Sequence, residues 1–149
     1  MLKFPLLHPQ ILDALGRAGH GSQVLIADGN YPFSTTLGVN AVLVNLNLSP
    51  GVVNSTQVLE AIASAVPIEA AAVMAYSREG PYGLASDPPV WAEFRDILAR
   101  VGFREPPRLI ERFDFYEAAA EDGVALVIAT AEQRIYANIL LTLGVVMPR

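Results

Sequence analysis

Short aliphatic segments of strand length alternate with amphipathic helical segments along this chain. The runs at residues 24–27 and 124–129 are bounded by glycine and polar residues, which predicts buried strands. Between such runs apolar residues recur at helical spacing, as at Val58, Leu59 and Ile62. This alternation predicts an α/β domain with three α/β/α layers, in which helices cover both faces of a mixed central sheet of about six strands.

The predicted elements follow one another without a linker or repeat. Start and stop signals predict three helices. The first begins at Pro9 and ends at Gly19, the second begins at Asn54 and ends at Pro67, and the third begins at Asp87-Pro88-Pro89 and ends at Gly102. A further short helix is predicted over residues 113–120. The predicted strands cover residues 24–27, 39–46, 70–76, 108–111, 124–129 and 138–143.

The surface of this chain has few charges to cover it. The chain has 149 residues, of which 52% are hydrophobic and 17% are charged. Because a typical domain has about 25% charged residues, some apolar surface is expected to meet other subunits. We therefore predict one domain over residues 1–149 that forms a symmetric homo-oligomer.

Charge and cysteine content exclude several classes of function. The net charge is −5 and the ten Lys and Arg residues are scattered, which argues against nucleic acid as a partner. With no cysteine there is no disulfide, thiol nucleophile or thiolate metal ligand. The longest charge-free stretch is broken by Asn, Ser, Pro and Gly, so no membrane span is expected, and no signal peptide is recognised. We expect a cytoplasmic protein.

A histidine and a carboxylate bracket the first predicted strand. His20 precedes residues 24–27 and Asp28 follows them directly. Histidine exchanges protons near neutral pH, and a carboxylate binds hydroxyl groups. The pair suggests proton transfer on a small polar molecule, although Asp28 is also suited to capping a turn.

Two further candidates flank other predicted strands. Arg112 follows the fourth strand, and Tyr136-Ala137-Asn138 leads into the last one. Ligands of α/β sheets gather in crevices outside strand ends, so Asp28, Arg112 and this turn are candidates for one site. A structural explanation is also open for each, since Arg112 is suited to a surface ion pair and Tyr136 to a subunit interface.

Four segments, in the same order and at similar separations, resemble the D-ribose pyranase and L-fucose mutarotase family. They are the helix leading into Gly19-His20-Gly21, Asp28 with Tyr31-Pro32, Arg112-Phe113-Asp114-Phe115-Tyr116-Glu117, and Tyr136-Ala137-Asn138-Ile139-Leu140-Leu141. The resemblance covers the whole chain. It implies an isomerase that interconverts the α and β anomers of a free sugar such as L-fucose, or its pyranose and furanose forms, without a metal or redox cofactor.

The resemblance also implies roles for individual residues. The family histidine that matches His20 is the proton donor, so His20 is expected to be catalytic. The residues implied to bind the monosaccharide are Asp28, Arg112, Tyr136, Ala137 and Asn138. Ring opening needs one acid and one base. The base stays open between Tyr136, Asp28 and a bound water.

The identity of the sugar and the mode of action also stay open. Residues 112–117 are similar to the fucose mutarotase branch, whereas Ala137 is also seen among pyranases, and Ser22 and Asn30 depart from residues common in fucose mutarotases. The family implies a homodecamer of stacked pentamers with sites between subunits. The main alternative is a non-catalytic monosaccharide-binding protein of sugar uptake or sensing. An isomerase of open-chain or phosphorylated sugars is less favoured, because the sequence has no cluster of Lys and Arg residues that could bind a phosphate group.

Overall fold

The chain forms six strands and four helices. Strands β1 to β6 are Gln23–Ala27, Val42–Asn45, Ile68–Met74, Arg108–Ile110, Val124–Ala129 and Ile139–Leu143. Helices α1 to α4 are Pro9–Arg17, Ser55–Ala63, Pro89–Arg100 and Arg112–Ala118. The computed structural model describes all 149 residues. None of the helices combines the length and the apolar character needed to span a membrane.

All six strands belong to one mixed sheet in the order β2-β5-β1-β6-β3-β4. The pairs β1/β5, β2/β5 and β3/β4 are parallel, whereas β6 is antiparallel to both of its neighbours, β1 and β3. Five strands therefore run in one direction and β6 runs against them. As a result, the start of β6 lies at the same edge of the sheet as the carboxyl ends of the other five strands.

Helices cover the two faces of the sheet unequally. The larger hydrophobic core joins α1, α2 and α3 to one face, with Phe94 of α3 and Leu59 of α2 fully buried. The smaller core joins the other face to α4 through Phe115 and to the loop after β1 through Tyr31. This arrangement confirms the predicted three-layer α/β architecture with a mixed six-stranded sheet.

Several predicted boundaries are wrong in detail, because the strand predicted over residues 70–76 is Ile68–Met74 and the helix predicted over residues 113–120 is Arg112–Ala118. The strand predicted over residues 39–46 covers only Val42–Asn45, because this edge strand is limited to its pairing with β5 and Val39 stays 84% exposed. Gly19 is not the helix cap, since α1 ends at Arg17 with Ala18 in an extended conformation. The left-handed glycine of this turn is Gly21, with φ of 81°.

The start of α2 is fixed by a capping box. The Asn54 side chain accepts a hydrogen bond from the backbone N–H of Gln57 at 2.9 Å, and the Gln57 side chain accepts one from the backbone N–H of Asn54 at 3.1 Å. Both donors would otherwise be unpaired at a helix start. The capping box therefore fixes where α2 begins, and the apolar face of the helix packs against the sheet.

We expect Asn54→Ala to lower the free energy of unfolding by about 1 kcal/mol, because it leaves an N–H at the helix start without its acceptor. Urea denaturation followed by circular dichroism measures the change at a fixed protein concentration. Asn47→Ala is the matched control, since Asn47 is exposed and makes no side-chain hydrogen bond. Equal stabilities of the two variants would contradict a stabilising role for the cap.

Candidate functional site

A cavity of about 310 Å³ opens at the sheet edge where β6 begins and the parallel strands end. Its volume is at the lower end of the range of roughly 300–1,000 Å³ that is usual for small-molecule sites. Its walls combine hydrogen-bonding side chains with aromatic and aliphatic ones. The lining residues are Asp28, Asn30, Tyr31, Met74, Tyr82, Arg112, Tyr116, Ile135, Tyr136 and Asn138.

Asp28 and Asn138 join the end of β1 to the start of β6. The backbone N–H of Asp28 donates to Asn138 Oδ1 at 2.7 Å, and Asn138 Nδ2 donates to Asp28 Oδ2 at 3.1 Å. The same carboxylate accepts the backbone N–H of Ala137 at 3.3 Å and that of Asn30 at 3.0 Å. Asp28 therefore has the turn-forming role considered from sequence and also lines the cavity.

The environment of Asp28 makes its carboxyl group harder to ionise than that of an exposed aspartate. Burial is the largest effect and raises its pKa to about 6, against the opposing effect of hydrogen bonds from the backbone of Asn30, Ala137 and Tyr31. The charge on nearby Glu132 acts in the same direction as burial. A carboxyl group with this pKa can both accept and release a proton near neutral pH.

The turn that carries Tyr136 has an unusual backbone. Tyr136 has φ of 57°, in the left-handed region that non-glycine residues rarely adopt. Its hydroxyl accepts a hydrogen bond from the backbone N–H of Ser77 at 3.4 Å and donates to the carbonyl of Tyr82 at 3.2 Å. The phenol ring thus bridges the cavity and the loop after β3.

Glu132 anchors the segment that leads into this turn. It is 4% exposed, accepts hydrogen bonds from the backbone and guanidinium of Arg134 at 2.8 to 3.0 Å, and accepts two more from Ser55 of α2. Burial alone would raise the pKa of Glu132, but the hydrogen bonds and charge of Arg134 outweigh it and lower the pKa to about 2. Arg134 also pairs with Glu93 of α3 at 2.7 Å. Glu132 is therefore ionised at neutral pH.

Arg112 and the aromatic rings of Tyr31 and Tyr116 form the wall of the cavity on the α4 side. Arg112 is the first residue of α4, and its Nε donates to the Tyr116 hydroxyl at 3.1 Å, which raises the pKa of Arg112. The Tyr31 ring meets Tyr116 and Phe115 edge to face at 5.4 and 6.2 Å. The Tyr31 hydroxyl is buried, and burial raises its pKa to about 12 against a smaller opposing effect of the Thr36 side chain. This wall therefore combines a hydrogen-bond donor, the exposed Arg112 guanidinium, with the flat apolar surface of aromatic rings.

His20 lies at the opposite edge of the sheet. β1 separates it from Asp28, and the five strand residues span roughly 16 Å at about 3.3 Å per residue. The Nε2 atom of His20 is 2.9 Å from Glu69 Oε2, and the His20 side chain is 60% exposed. Glu69 stands at a register shift of β3 against β6, between the pairs Ile68↔Leu143 and Ala70↔Thr142. Such an extra residue redirects a side chain, here beside His20.

Most of the site residues predicted from sequence meet at one cavity. Asp28, Arg112, Tyr136 and Asn138 line it, and Ala137 contributes a backbone N–H to Asp28. His20 does not, so His20 and Asp28 do not form a pair within one chain. Sequence reasoning missed Met74, Tyr82 and Ile135 in the cavity wall and Glu69 beside His20. Their positions depend on strand register and loop packing, which the spacing of residues in the sequence does not show. No group of three or more His, Cys, Asp and Glu side chains is placed to hold a metal ion.

The raised pKa of Asp28 makes stability fall as pH rises through the mildly acidic range. The folded chain keeps this proton up to about pH 6, whereas an exposed aspartate releases it near 3.8, so unfolding releases a proton between these values. We expect the free energy of unfolding of the wild type, relative to Asp28→Asn, to decrease by about 3 kcal/mol across this interval. Urea denaturation at a series of pH values measures the difference.

Glu132→Gln is the control for this pH dependence. Because the pKa of Glu132 is lowered to about 2, the ionised side chain contributes fully to the free energy of unfolding above pH 4.5. This contribution is lost only as the pH falls towards 2. This variant also removes the small effect of the Glu132 charge on Asp28, so it should keep most of the wild-type slope between about pH 5 and pH 7. A constant difference between wild type and Asp28→Asn would mean that Asp28 ionises at the pH of an exposed aspartate.

The sequence and the fold are similar to those of known proteins along nearly their whole lengths. Human fucose mutarotase is 34% identical over 146 residues, which cover 94% of this chain and 90% of the human protein. The fucose mutarotase from Streptococcus pneumoniae, whose structure was solved in complex with L-fucose, superimposes with a TM-score of 0.81 at 26% identity and covers 99% of this chain and 100% of its own. FucU from Bifidobacterium longum gives a TM-score of 0.79 at 30% identity and covers 96% and 99%.

The sequence pattern of one protein family extends over the same length. Residues 1–146 match the RbsD / FucU transport protein family. The match includes both the edge of the sheet that carries Asp28, Arg112 and Asn138 and the edge that carries His20. This chain therefore belongs to the RbsD / FucU transport protein family.

Proposed function

We propose that this protein is a monosaccharide mutarotase, an isomerase that interconverts the α and β anomers of a free sugar such as L-fucose. The observation that carries the proposal is the cavity of about 310 Å³, which is lined by Asp28, Arg112 and Asn138 beside aromatic rings. Carboxylate, guanidinium and amide groups give directional hydrogen bonds to ring hydroxyls, and an aromatic face packs on the apolar face of a pyranose. The relatives named fucose mutarotase support the same function.

The reaction opens a cyclic hemiacetal and closes it again. A base takes the proton of the anomeric hydroxyl, an acid gives a proton to the ring oxygen, and the bond between the anomeric carbon and the ring oxygen breaks to leave an aldehyde and a hydroxyl. After rotation next to the aldehyde, the reverse transfers close the ring on the other face. No electron is gained or lost. Acid-base assistance of this kind supplies roughly 10² to 10⁴ in rate.

We assign the acid to His20 and favour Asp28 over Tyr136 as the protein base. The Tyr136 hydroxyl already donates its proton to the carbonyl of Tyr82 at 3.2 Å. The carboxyl group of Asp28 lines the cavity, and its pKa of about 6 suits proton transfer near neutral pH. Arg112 and Asn138 would orient the sugar, and the Ala137 N–H would keep the carboxylate in place.

We further propose that His20 acts in the cavity of a neighbouring copy. His20 and Glu69 lie at one edge of the sheet and the cavity at the other, so a head-to-tail contact between two copies would bring them together. Exposed apolar residues such as Val39, Leu48 and Phe113 fit contacts between copies. A closed ring satisfies this arrangement, and the homodecamer of stacked pentamers and the cytoplasmic location expected from sequence are part of the proposal.

A non-catalytic monosaccharide-binding protein is the second candidate. The observation that favours it is that the cavity is lined without His20, so one chain has binding groups for a sugar but no histidine beside them. The two functions differ in what His20 does. A binding protein would hold the sugar without speeding the exchange of its anomers.

We expect His20→Ala to reduce the enzyme-dependent rate of L-fucose anomer exchange by about 10² to 10⁴ while L-fucose still binds, because the acid is lost and the cavity is kept. Saturation-transfer NMR measures exchange, and calorimetry measures binding. His8→Ala is the matched control, since His8 stands before α1, does not line the cavity and is not paired with Glu69. Unchanged exchange in His20→Ala would exclude the proposed acid, and binding without exchange in the wild type would favour the binding protein.

A site shared between copies predicts complementation of two defective variants. His20→Ala and Arg112→Ala damage different halves of such a site, and both side chains are exposed, so both variants should fold. After mixed unfolding and refolding at equal amounts, about a quarter of the sites in random ring assemblies would combine an intact His20 with an intact Arg112. Recovered anomer exchange in the mixture, but not in either variant refolded alone, is the expected result. No recovery would contradict a shared site.

A further inference from the structure

One peptide unit of the cavity wall is held from both sides. The carbonyl of Tyr136 accepts a hydrogen bond from the indole N–H of Trp91 at 2.9 Å. The N–H of the same peptide unit, which belongs to Ala137, donates to Asp28 Oδ2 at 3.3 Å. The plane of this peptide is therefore fixed between a core residue of α3 and the carboxylate in the cavity.

The backbone at Tyr136 needs such support. With φ of 57°, Tyr136 is the only non-glycine residue of the chain in the left-handed region. A bulky residue stays in this conformation only when the surrounding structure holds it there, and such residues cluster at functional sites. A relaxed Tyr136 would turn its ring away from the cavity and move the Ala137 N–H away from Asp28.

Trp91 is well placed to give that support. It is 3% exposed and belongs to α3, which begins at Pro89 after the N-cap residue Pro88 and packs on the sheet through the larger core. The Tyr76 ring touches both aromatic partners, with ring centroids 5.6 Å from Trp91 and 6.2 Å from Tyr136. Helix α3 thus presents the indole N–H of Trp91 to the turn. An apolar residue in place of Trp91 would still pack there but would leave the Tyr136 carbonyl without a hydrogen-bond donor.

We propose that Trp91 is a positioning residue of the sugar site, which acts through Tyr136. Its indole N–H keeps Tyr136 in the left-handed conformation and thereby sets both the phenol ring and the Ala137 N–H that binds Asp28. Trp91 itself does not line the cavity. The inference deepens the proposed function and rests on it for the sugar, but the conformation of the turn can be measured without any ligand.

The test compares Trp91→Phe, which keeps an aromatic ring and removes the donor, with Phe94→Leu in the same helix. Phe94 is fully buried in the core, so its variant is expected to lose stability without a change in the site. We expect Trp91→Phe to bind L-fucose about tenfold more weakly by calorimetry, with a larger change in KM than in kcat. Without sugar, the amides of Ala137 and Asn138 should exchange with deuterium faster in Trp91→Phe than in Phe94→Leu.

A double-mutant cycle separates positioning from packing. Asn adopts the left-handed conformation more readily than Tyr, so Trp91→Phe should have a much smaller effect on binding in a Tyr136→Asn background. Equal effects in both backgrounds, or wild-type amide exchange at the turn in Trp91→Phe, would overturn the proposal. If the wild type binds no sugar, the proposed function fails, and the amide exchange experiment still decides the role of Trp91.

Discussion

The reciprocal hydrogen bonds between Asp28 and Asn138 are the interaction on which the arrangement of the site depends. These residues are 110 positions apart, and each is 3% exposed. Burying a carboxyl group and an amide is costly unless their hydrogen bonds are made, and here each partner satisfies the other. The pair fixes the end of β1 against the start of β6, so the cavity wall has one defined geometry.

The direction of β6 explains why this junction becomes a site. If β6 ran parallel to its neighbours, the Tyr136–Asn138 turn would lie at the other edge of the sheet. Because it runs against them, the turn faces the residues that follow β1, β3 and β4, which are Asp28, the loop with Tyr82, and Arg112. The same geometry raises the pKa of Asp28, since burial between the two strands outweighs the hydrogen bonds that stabilise its charge.

The length of β1 sets the second constraint, because it holds His20 and Asp28 at opposite edges of the sheet. Proton transfer needs groups within hydrogen-bond distance, so one chain alone cannot apply His20 to a ligand beside Asp28. The proposed association of copies would resolve this separation and would also cover apolar surface in a chain with only 17% charged residues. Composition and site geometry then support the same assembly from independent observations.

The sequence by itself determined the order of the elements, because hydrophobic periodicity and caps are local properties. The run at Val124–Ala129 and the capping box at Asn54 illustrate this, and the family motifs marked Asp28, Arg112 and Asn138 as residues of one site. The tertiary structure alone decided strand order, the reversed direction of β6, the pairing of His20 with Glu69 and the support of Tyr136 by Trp91. These features depend on register and packing between residues far apart in the chain, which local patterns do not encode.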